Sequence, residues 1–514
     1  MLFLILLLST SITVINYSSK YEMTTDEGDY IYNAFLLSSG MKTYDFFYQL
    51  QKTPGIIWLQ FPIIKIFGNT FLSIFILRFI SHIIAILAII MIFLIGKKLV
   101  NAYVGIFAAL FFAIDTVVIG VGGAAAPSIY STFLLTLVFY FYIKGTKKNI
   151  FISGLFLTAA ILFRPTSLVM LFPIFLFEIS KYYTLRNKFA NLFLFSIGSL
   201  LILIPFLLYL LTNGVFYNFI STLFNFNYYD QIPWPLFEKA ENIFYNSIFK
   251  NPLAWTFTLI GIVSMIKLKQ IYKWRFVILW AASFMLSFFL WRSFFPSYLT
   301  DLISPISLIA GFGAYVIFID KSYLKSISKY SRKSIRFCSF LIFIVLFIFI
   351  LVINFADPYY DADNMHKIII DYLNHNQMQN NSSFITTNSG VLFLLGIKKD
   401  IDKVIYFGKG REEAYKLSGL EDLFGKRVAA DIINYLEKNK IQIIVFSKFK
   451  ESIRLDEETR KYILENYEPV YYDKNKSTYY RIKSKVKKIL RKYLLFTDTR
   501  DESQEYVLFI RKST

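Results

Sequence analysis

Three carboxylates crowd one short stretch at Asp26, Glu27 and Asp29, with Asp45 further on, and among the cations that follow along the chain Lys52 and Arg78 are candidates to answer them. A positioned carboxylate can take a proton from a nucleophile, and a Lys or Arg can hold a phosphate oxygen. Chemistry in this chain must rest on such groups. The single cysteine, Cys338, allows no intrachain disulfide and no thiolate metal site, and His82, His366 and His375 are too few for a His-rich centre. Locally, Thr24 can cap a helix, Glu27 completes a capping box three residues later, and Gly40 supplies a left-handed stop. On that reading the acids could simply favour a helix start, where the macrodipole welcomes negative charge. They lie between two apolar runs, however, at or just above a lipid boundary where charge is costly to hold.

The elements that must position these residues are membrane spans. Of 514 residues, 56% are hydrophobic and 18% charged, with a mean hydropathy of +0.50. Soluble domains carry about 25% charged residues, so this is a membrane protein. The net charge of +20 does not point to nucleic acid, because Lys and Arg fall mainly in short loops between apolar runs and in the C-terminal third. Such loops report orientation and anionic headgroups.

The pattern predicts a polytopic α-helical membrane protein of about eleven transmembrane helices. Leu2 to Ile15 reads as a retained first span, since it lacks the basic leader of a signal peptide. Gly55 to Gly68, with Gln60, Pro62 and Lys65 among apolar residues, suits an interfacial helix in the first outer loop. Spans follow at Phe71 to Ile95, Tyr103 to Ile119, after Pro127, at Ile150 to Phe163 and Ser167 to Glu178, up to Leu211, up to Lys267, up to Trp291, at Tyr298 to Ile319 and at Phe337 to Phe355. Lys97 and Lys98, Lys144 to Lys148, Lys181 to Lys188, Lys267 to Arg275 and Lys321 to Arg336 then share one face, which the positive-inside rule makes cytoplasmic. The N-terminus is therefore inside. The Asp26 loop, Arg164, the aromatic loop around Trp234, Arg292 and the C-terminus face outward.

Residues 1–355 form this membrane domain, and residues 356–514 read as an extracytoplasmic soluble α/β domain. Strand-like runs stand at Ser383 to Thr387, Lys403 to Phe407, Ile441 to Phe446, Val470 to Tyr472 and Tyr506 to Ile510. Helical patterns stand at Met365 to Asn374, Leu423 to Asn439 and Asp456 to Asn466. Gly408-Lys409-Gly410 lacks the third glycine and the context of a phosphate loop, and Asp361-Ala362-Asp363 is too short a motif to carry a metal site.

Asp26-Glu27 after the first span, Tyr44-Asp45-Phe46-Phe47, and Lys52-Thr53-Pro54-Gly55 before an aromatic run make the chain similar to the integral-membrane C-type glycosyltransferases. Within that class it most resembles protein O-mannosyltransferases and aminoarabinose transferases. The likeness continues through Gly68, Arg78-Phe79-Ile80-Ser81, Gly154 to Arg164 and Pro296-Ser297-Tyr298 to Pro305. Thr53 departs from the usual proline. The resemblance implies an inverting transfer of a single sugar from a polyprenyl (dolichyl or undecaprenyl) phosphate to a hydroxyl acceptor, at the outer face. Such a reaction needs a base, cations for the departing phosphate and a groove for the lipid. Asp26, with Glu27 beside it, is the expected catalytic carboxylate. Lys52, Arg292, Tyr298 and Arg78 are the candidates for the donor phosphate, and Asp29, Asp45, Asp115, Arg164 and Trp234 could line the acceptor side. Some relatives carry a glutamate where Gln51 stands, and a monophosphate donor can be handled by Lys and Arg alone. No essential metal is therefore expected, although a divalent ion stays compatible.

Each residue also has a plainer reading. Lys52 and Arg292 could snorkel to headgroups, Arg78 could hold Asp26 or Glu27 in place, and Arg164 could be a turn residue. Asp115 could cap a helix end, Trp234 could anchor the interface, and His82 reads as a hydrogen-bonded packing residue. Two other functions use similar parts. One is a lipid-linked glycan flippase, which would usually show internal repeats that this chain lacks. The other is a glycan ligase drawing on a polyprenyl diphosphate. Sugar and acceptor are not legible.

Overall fold

The protein is described from a computed structural model, which covers residues 25–41, 53–220, 235–290, 296–320, 341, 384–386, 443–446, 457–470 and 507–511. The bundle begins with two short helices, α1 (Thr25–Ser38) and α2 (Pro54–Phe67), followed by α3 (Phe71–Leu99), α4 (Ala102–Ala113) and α5 (Thr116–Gly122). A hairpin of α6 (Pro127–Lys144) and α7 (Lys147–Phe163) comes next, then a 3-10 turn at Pro165–Met170, α8 (Leu171–Ile179) and α9 (Leu185–Thr212). The short α10 (Phe216–Ile220) and α11 (Leu236–Ile243) precede α12 (Pro252–Lys267), α13 (Ile271–Leu290) and α14 (Thr300–Phe318).

Helix boundaries follow local chemistry. Thr70, Asn101, Thr146 and Thr184 each accept a backbone N–H of the first turn that follows, satisfying donors that no helix can pair internally. The left-handed Gly145, at φ 72°, ends α6, and Gly40, at φ 92°, sits past the end of α1 as its sequence predicts.

One expected span is bent rather than straight, and the expected aromatic loop before α12 carries a helix of its own. Tyr103 to Ile119 breaks into α4 and α5, which diverge by 68°. Asp115 sits at the break and accepts from the N–H groups of Val117 and Val118. The segment before Lys267 turns by 91° between Leu236–Phe249 and α12. The two breaks are fastened to each other: Thr116 N–H donates to Asn251 Oδ1, and Asn251 Nδ2 donates to Thr116 Oγ1, both at 3.1 Å. Backbone freed at this depth must find partners inside the protein, and here it does.

Against about eleven expected crossings, four helices among the described residues are long and apolar enough to cross a membrane, or up to six if each bent pair is one span. The expected spans at Leu2 to Ile15 and Phe337 to Phe355 lie outside the described residues, apart from Leu341. The helix over Ser297–Phe318 is 89% buried across its apolar window and forms the centre, whereas α9 is 22% buried and faces outward. Contacts between helices rest on small residues, as is usual where lipid offers no hydrophobic drive. Gly154 of α7 abuts the Phe195 carbonyl of α9, and Gly198 of α9 abuts the Phe151 carbonyl of α7, so tightly that a Cβ at either would collide with backbone. Gly261 and Gly313 do the same between α12 and α14.

Past the bundle, β1 (Phe384–Thr386), β2 (Ile443–Phe446), β3 (Tyr467–Val470) and β4 (Val507–Arg511) form one sheet in the order β1-β2-β4-β3. The β1/β2 pair is parallel and the others antiparallel, and α15 (Glu457–Asn466) runs directly into β3. The strand expected at Val470 to Tyr472 is displaced toward Tyr467, because α15 stops at Asn466 and the chain pairs at once. The expected elements at 365–374, 403–407 and 423–439 lie outside the described residues.

Replacing Gly154 by Leu should separate α7 from α9. The expected loss is about 1–3 kcal/mol of stability, read as a lowered melting temperature of the detergent-solubilised protein, while Leu201→Ile on the exposed face of α9 should leave it unchanged.

Candidate active site

The first-turn acids of α1 meet different fates. Asp26 is exposed, whereas Glu27 is 1% exposed and accepts two parallel bonds from Arg78, at 2.8 Å from Nε and 2.7 Å from Nη2. Glu27 Oε1 also accepts from the Ala125 N–H at 2.9 Å, and the Ala125 carbonyl accepts from Gln60 Nε2 at 2.8 Å. One buried ion pair thus ties α1, α2, α3 and the segment before α6 together. Fork-to-fork geometry of this kind is the strong form of the Arg–carboxylate contact, and the small residues Gly123 to Ala126 let backbone approach it. Of the two readings of Arg78, the geometry favours the one in which it holds Glu27: both donors described above are taken by the carboxylate, not presented to a phosphate. Glu27 was expected to act in catalysis and to close a capping box, and its carboxylate instead reaches across the bundle. Asp29 is buried, and its carbonyl accepts from Asn33.

A second polar centre surrounds Arg164. Its Nη1 donates to the Ser297 carbonyl at 2.9 Å and lies 3.7 Å from Asp301 Oδ2, and the guanidinium lies 4.4 Å from the ring centre of Tyr298. Asp301 also accepts from Thr132 Oγ1 at 2.8 Å. Arg164 stands at the turn, as one of its two expected readings has it, closing α7 before Pro165, and its side chain is in addition a buried tie to the start of α14. Sequence reasoning missed Asp301. Its signal was available, since an acid flanked by Thr300 and Leu302 in an apolar run needs a partner.

The remaining expectations divide. Asp115 takes the capping alternative. His82 is buried, but neither ring nitrogen has a hydrogen-bond partner, so the expected bonded packing role fails. Lys52, Asp45, Trp234 and Arg292 lie outside the described residues. Thr53, which follows Lys52 in sequence, donates its hydroxyl to the Phe163 carbonyl at 2.9 Å.

These contacts gather one end of the bundle: the starts of α2, α3, α6 and α14 and the end of α7. The opposite end carries Lys97, Lys98, Lys144, Lys147, Lys148, Lys267 and Arg275, with Glu178 fully buried among Tyr142, Lys181 and Asn191. The basic loops thus gather at one end of the helix axes, with Glu178 the buried acid among them, while Glu27, Asp115 and Asp301 lie at the other. Among the described residues, no group of three or more His, Cys, Asp or Glu could hold a metal ion.

Residues 51–210 match the family described as dolichyl-phosphate-mannose-protein mannosyltransferase. In fold, the chain is similar to ArnT from Cupriavidus metallidurans, at TM-score 0.59 and 12% identity over 92% of this chain and 96% of that one, in a structure bound to undecaprenyl phosphate. The apo form of ArnT gives 0.61 over 98% and 97% at the same identity. The chain has the fold of the integral-membrane C-type glycosyltransferases. An archaeal member of this fold group, oligosaccharyltransferase AglB from Archaeoglobus fulgidus, in complex with an inhibitory peptide and a dolichol-phosphate, gives 0.53 at 12% identity over 93% of this chain and 73% of its own. Another AglB structure, at 0.55, is a complex with Zn and sulfate. No curated protein matches in sequence. Within this glycosyltransferase fold, the family match covers α2 to most of α9 and so includes Arg78, Asp115 and Arg164.

Removing one partner of the Glu27–Arg78 pair strands a buried charge, at a cost of about 3–5 kcal/mol, while removing both costs far less. Arg78→Met should therefore melt well below wild type, and Glu27→Gln/Arg78→Met should recover a measurable part of that loss.

Proposed function

We propose that this chain is an inverting glycosyltransferase that moves a single sugar from a polyprenyl phosphate to a hydroxyl acceptor on the extracytoplasmic side. The observation that carries this reading is the division of labour between adjacent acids: Glu27 is buried and bonded to Arg78 while Asp26, one residue earlier, is exposed. A bonded neighbour holds the first turn of α1 in a fixed orientation. Its exposed companion can then meet a substrate. The fold shared with ArnT and the match to the mannosyltransferase family support the same conclusion, and the lipid phosphates in the ArnT and AglB structures suggest the donor class.

In the proposed reaction the acceptor hydroxyl gives its proton to Asp26 as its oxygen bonds to the anomeric carbon from the face opposite the phosphate. The carbon–oxygen bond to the phosphate breaks, and its electron pair leaves with the polyprenyl phosphate. A positioned general base contributes roughly 10²–10⁴ in rate. Lys52 and Arg292 receive the departing charge, with Tyr298 donating a hydrogen bond. One cation about 4 Å from that charge is worth roughly 4 kcal/mol at an effective dielectric near 20. Because two cations suffice for a monophosphate, this reading requires no divalent ion.

The arrangement is also compatible with the proposed orientation. With the basic loops cytoplasmic, about eleven spans put the Asp26 end and a C-terminal α/β domain outside. Glu27, Asp115 and Asp301 at one end and the basic loops at the other fit that assignment.

Asp26→Asn is expected to lower sugar transfer by roughly 10²–10⁴ without weakening binding of the lipid-phosphate sugar, measured with labelled donor and purified enzyme. Wild-type turnover in this variant would remove Asp26 from the mechanism. Lys52→Ala should raise the donor KM at saturating acceptor, and EDTA should leave the rate unchanged.

A further inference from the structure

The corner at residues 162–164 anchors two segments that are far apart in sequence. On one side, Thr53 Oγ1 donates to the Phe163 carbonyl at 2.9 Å, and Gly55 lies so close to Leu162 that an added Cβ would stand 2.7 Å from its carbonyl oxygen. On the other side, Arg164 reaches the segment that opens α14. Nη1 donates to the Ser297 carbonyl at 2.9 Å and meets Thr300 Oγ1 at 3.4 Å, and Nη2 meets Ser297 Oγ at 3.4 Å.

The guanidinium also lies over the ring of Tyr298, 4.4 Å from its centre, with Asp301 at 3.7 Å. Asp301 is itself held by Thr132. Every one of these groups is a donor or acceptor in a fixed direction. Arg164 itself is extended, at φ −154° and ψ 116°, between the end of α7 and Pro165, so its backbone cannot slide along a helix.

We infer that Arg164 is a positioning residue for the donor phosphate, acting through Tyr298. It does not touch the phosphate in this scheme. Its flat face sets the plane of the Tyr298 ring, and its donors hold Ser297 and Thr300 on either side, so that the phenol is aimed before the lipid arrives. The same corner holds Thr53, the residue just before α2, through the Phe163 carbonyl. A lysine at 164 would keep the charge near Asp301 but would lose the fork and the stacking face. This inference rests on the proposed function, because it takes Tyr298 to meet the donor.

The test uses the purified full chain in detergent, with undecaprenyl phosphate as the probe and native mass spectrometry to read binding. Wild type is measured first; if it does not bind the lipid phosphate, the proposed function falls and this inference with it. Given wild-type binding, Arg164→Lys should weaken it by about tenfold or more, in line with the sensitivity of reacting sites to small displacements. It should also raise the donor KM more than it lowers kcat, and barely move the lipid-free melting temperature. Tyr298→Phe should act in the same direction, and the double variant should be no worse than the poorer single one. Asp301→Asn, which keeps the shape but leaves the buried guanidinium without its carboxylate, should melt lower; assayed on the folded fraction it should show the same KM shift, and it serves as the second variant if Arg164→Lys does not fold. Wild-type lipid affinity in both Arg164→Lys and Asp301→Asn, or additive losses with Tyr298→Phe, would overturn the inference. So would a fall in active fraction at unchanged KM.

Discussion

The structure depends first on one ion pair, Arg78 with Glu27. An arginine this far into an apolar helix is not tolerable alone, and neither is a glutamate that is 1% exposed. Each cancels the cost of the other only while the geometry is held. That condition explains the surroundings: Ala125 N–H completes the carboxylate's partners, and Gln60 secures Ala125 from the other side. Four elements distant in sequence are consequently fixed by a single electrostatic requirement, and the first turn of α1 is placed by the buried acid of the adjacent pair.

Broken helices extend the same logic. A bend inside an apolar region exposes N–H and carbonyl groups that lipid cannot satisfy, so bends must be placed where side chains reach them. Asp115 serves one break, and the Thr116–Asn251 exchange closes the two breaks on each other. The polar end of the bundle is therefore built from capped helix ends, bends and ion pairs. Only the corner at Arg164 does all three tasks, since it ends α7, turns the chain and pairs with Asp301.

Much of this was legible in the residues. Apolar run length and the basic loops placed α3, α6, α7, α9 and α12 to α14 to within a few residues, because burial in lipid needs little beyond composition. Gly40 marked its stop through backbone freedom alone. The bend in Tyr103 to Ile119 was not legible, because a straight and a kinked helix expose the same apolar side chains to composition, and Asp115 alone did not separate the two. For Arg78 the sequence narrowed the partner to Asp26 or Glu27 and the fold chose Glu27, whereas the partner of Arg164 was out of reach for a different reason. Glu27 stands 51 residues from Arg78, and Asp301 stands farther still from Arg164. Sequence could say that an intramembrane arginine needs an acid, but only the fold selects which one.

That selection bears on the chemistry. At the polar end, Glu27 is committed to Arg78, Asp115 to capping α5, and Asp301 to Arg164 and Thr132, while Asp29 is buried within α1's inward face. The carboxylates of Glu27, Asp115 and Asp301 accept bonds that would have to break before any of them could take a proton from an acceptor. Such a break would leave a buried cation or an unsatisfied N–H behind, a penalty on the scale of the barrier reductions catalysis is built from. Asp26, in the same turn as Glu27, is exposed, and the bonds made by Glu27 fix the backbone turn that carries it.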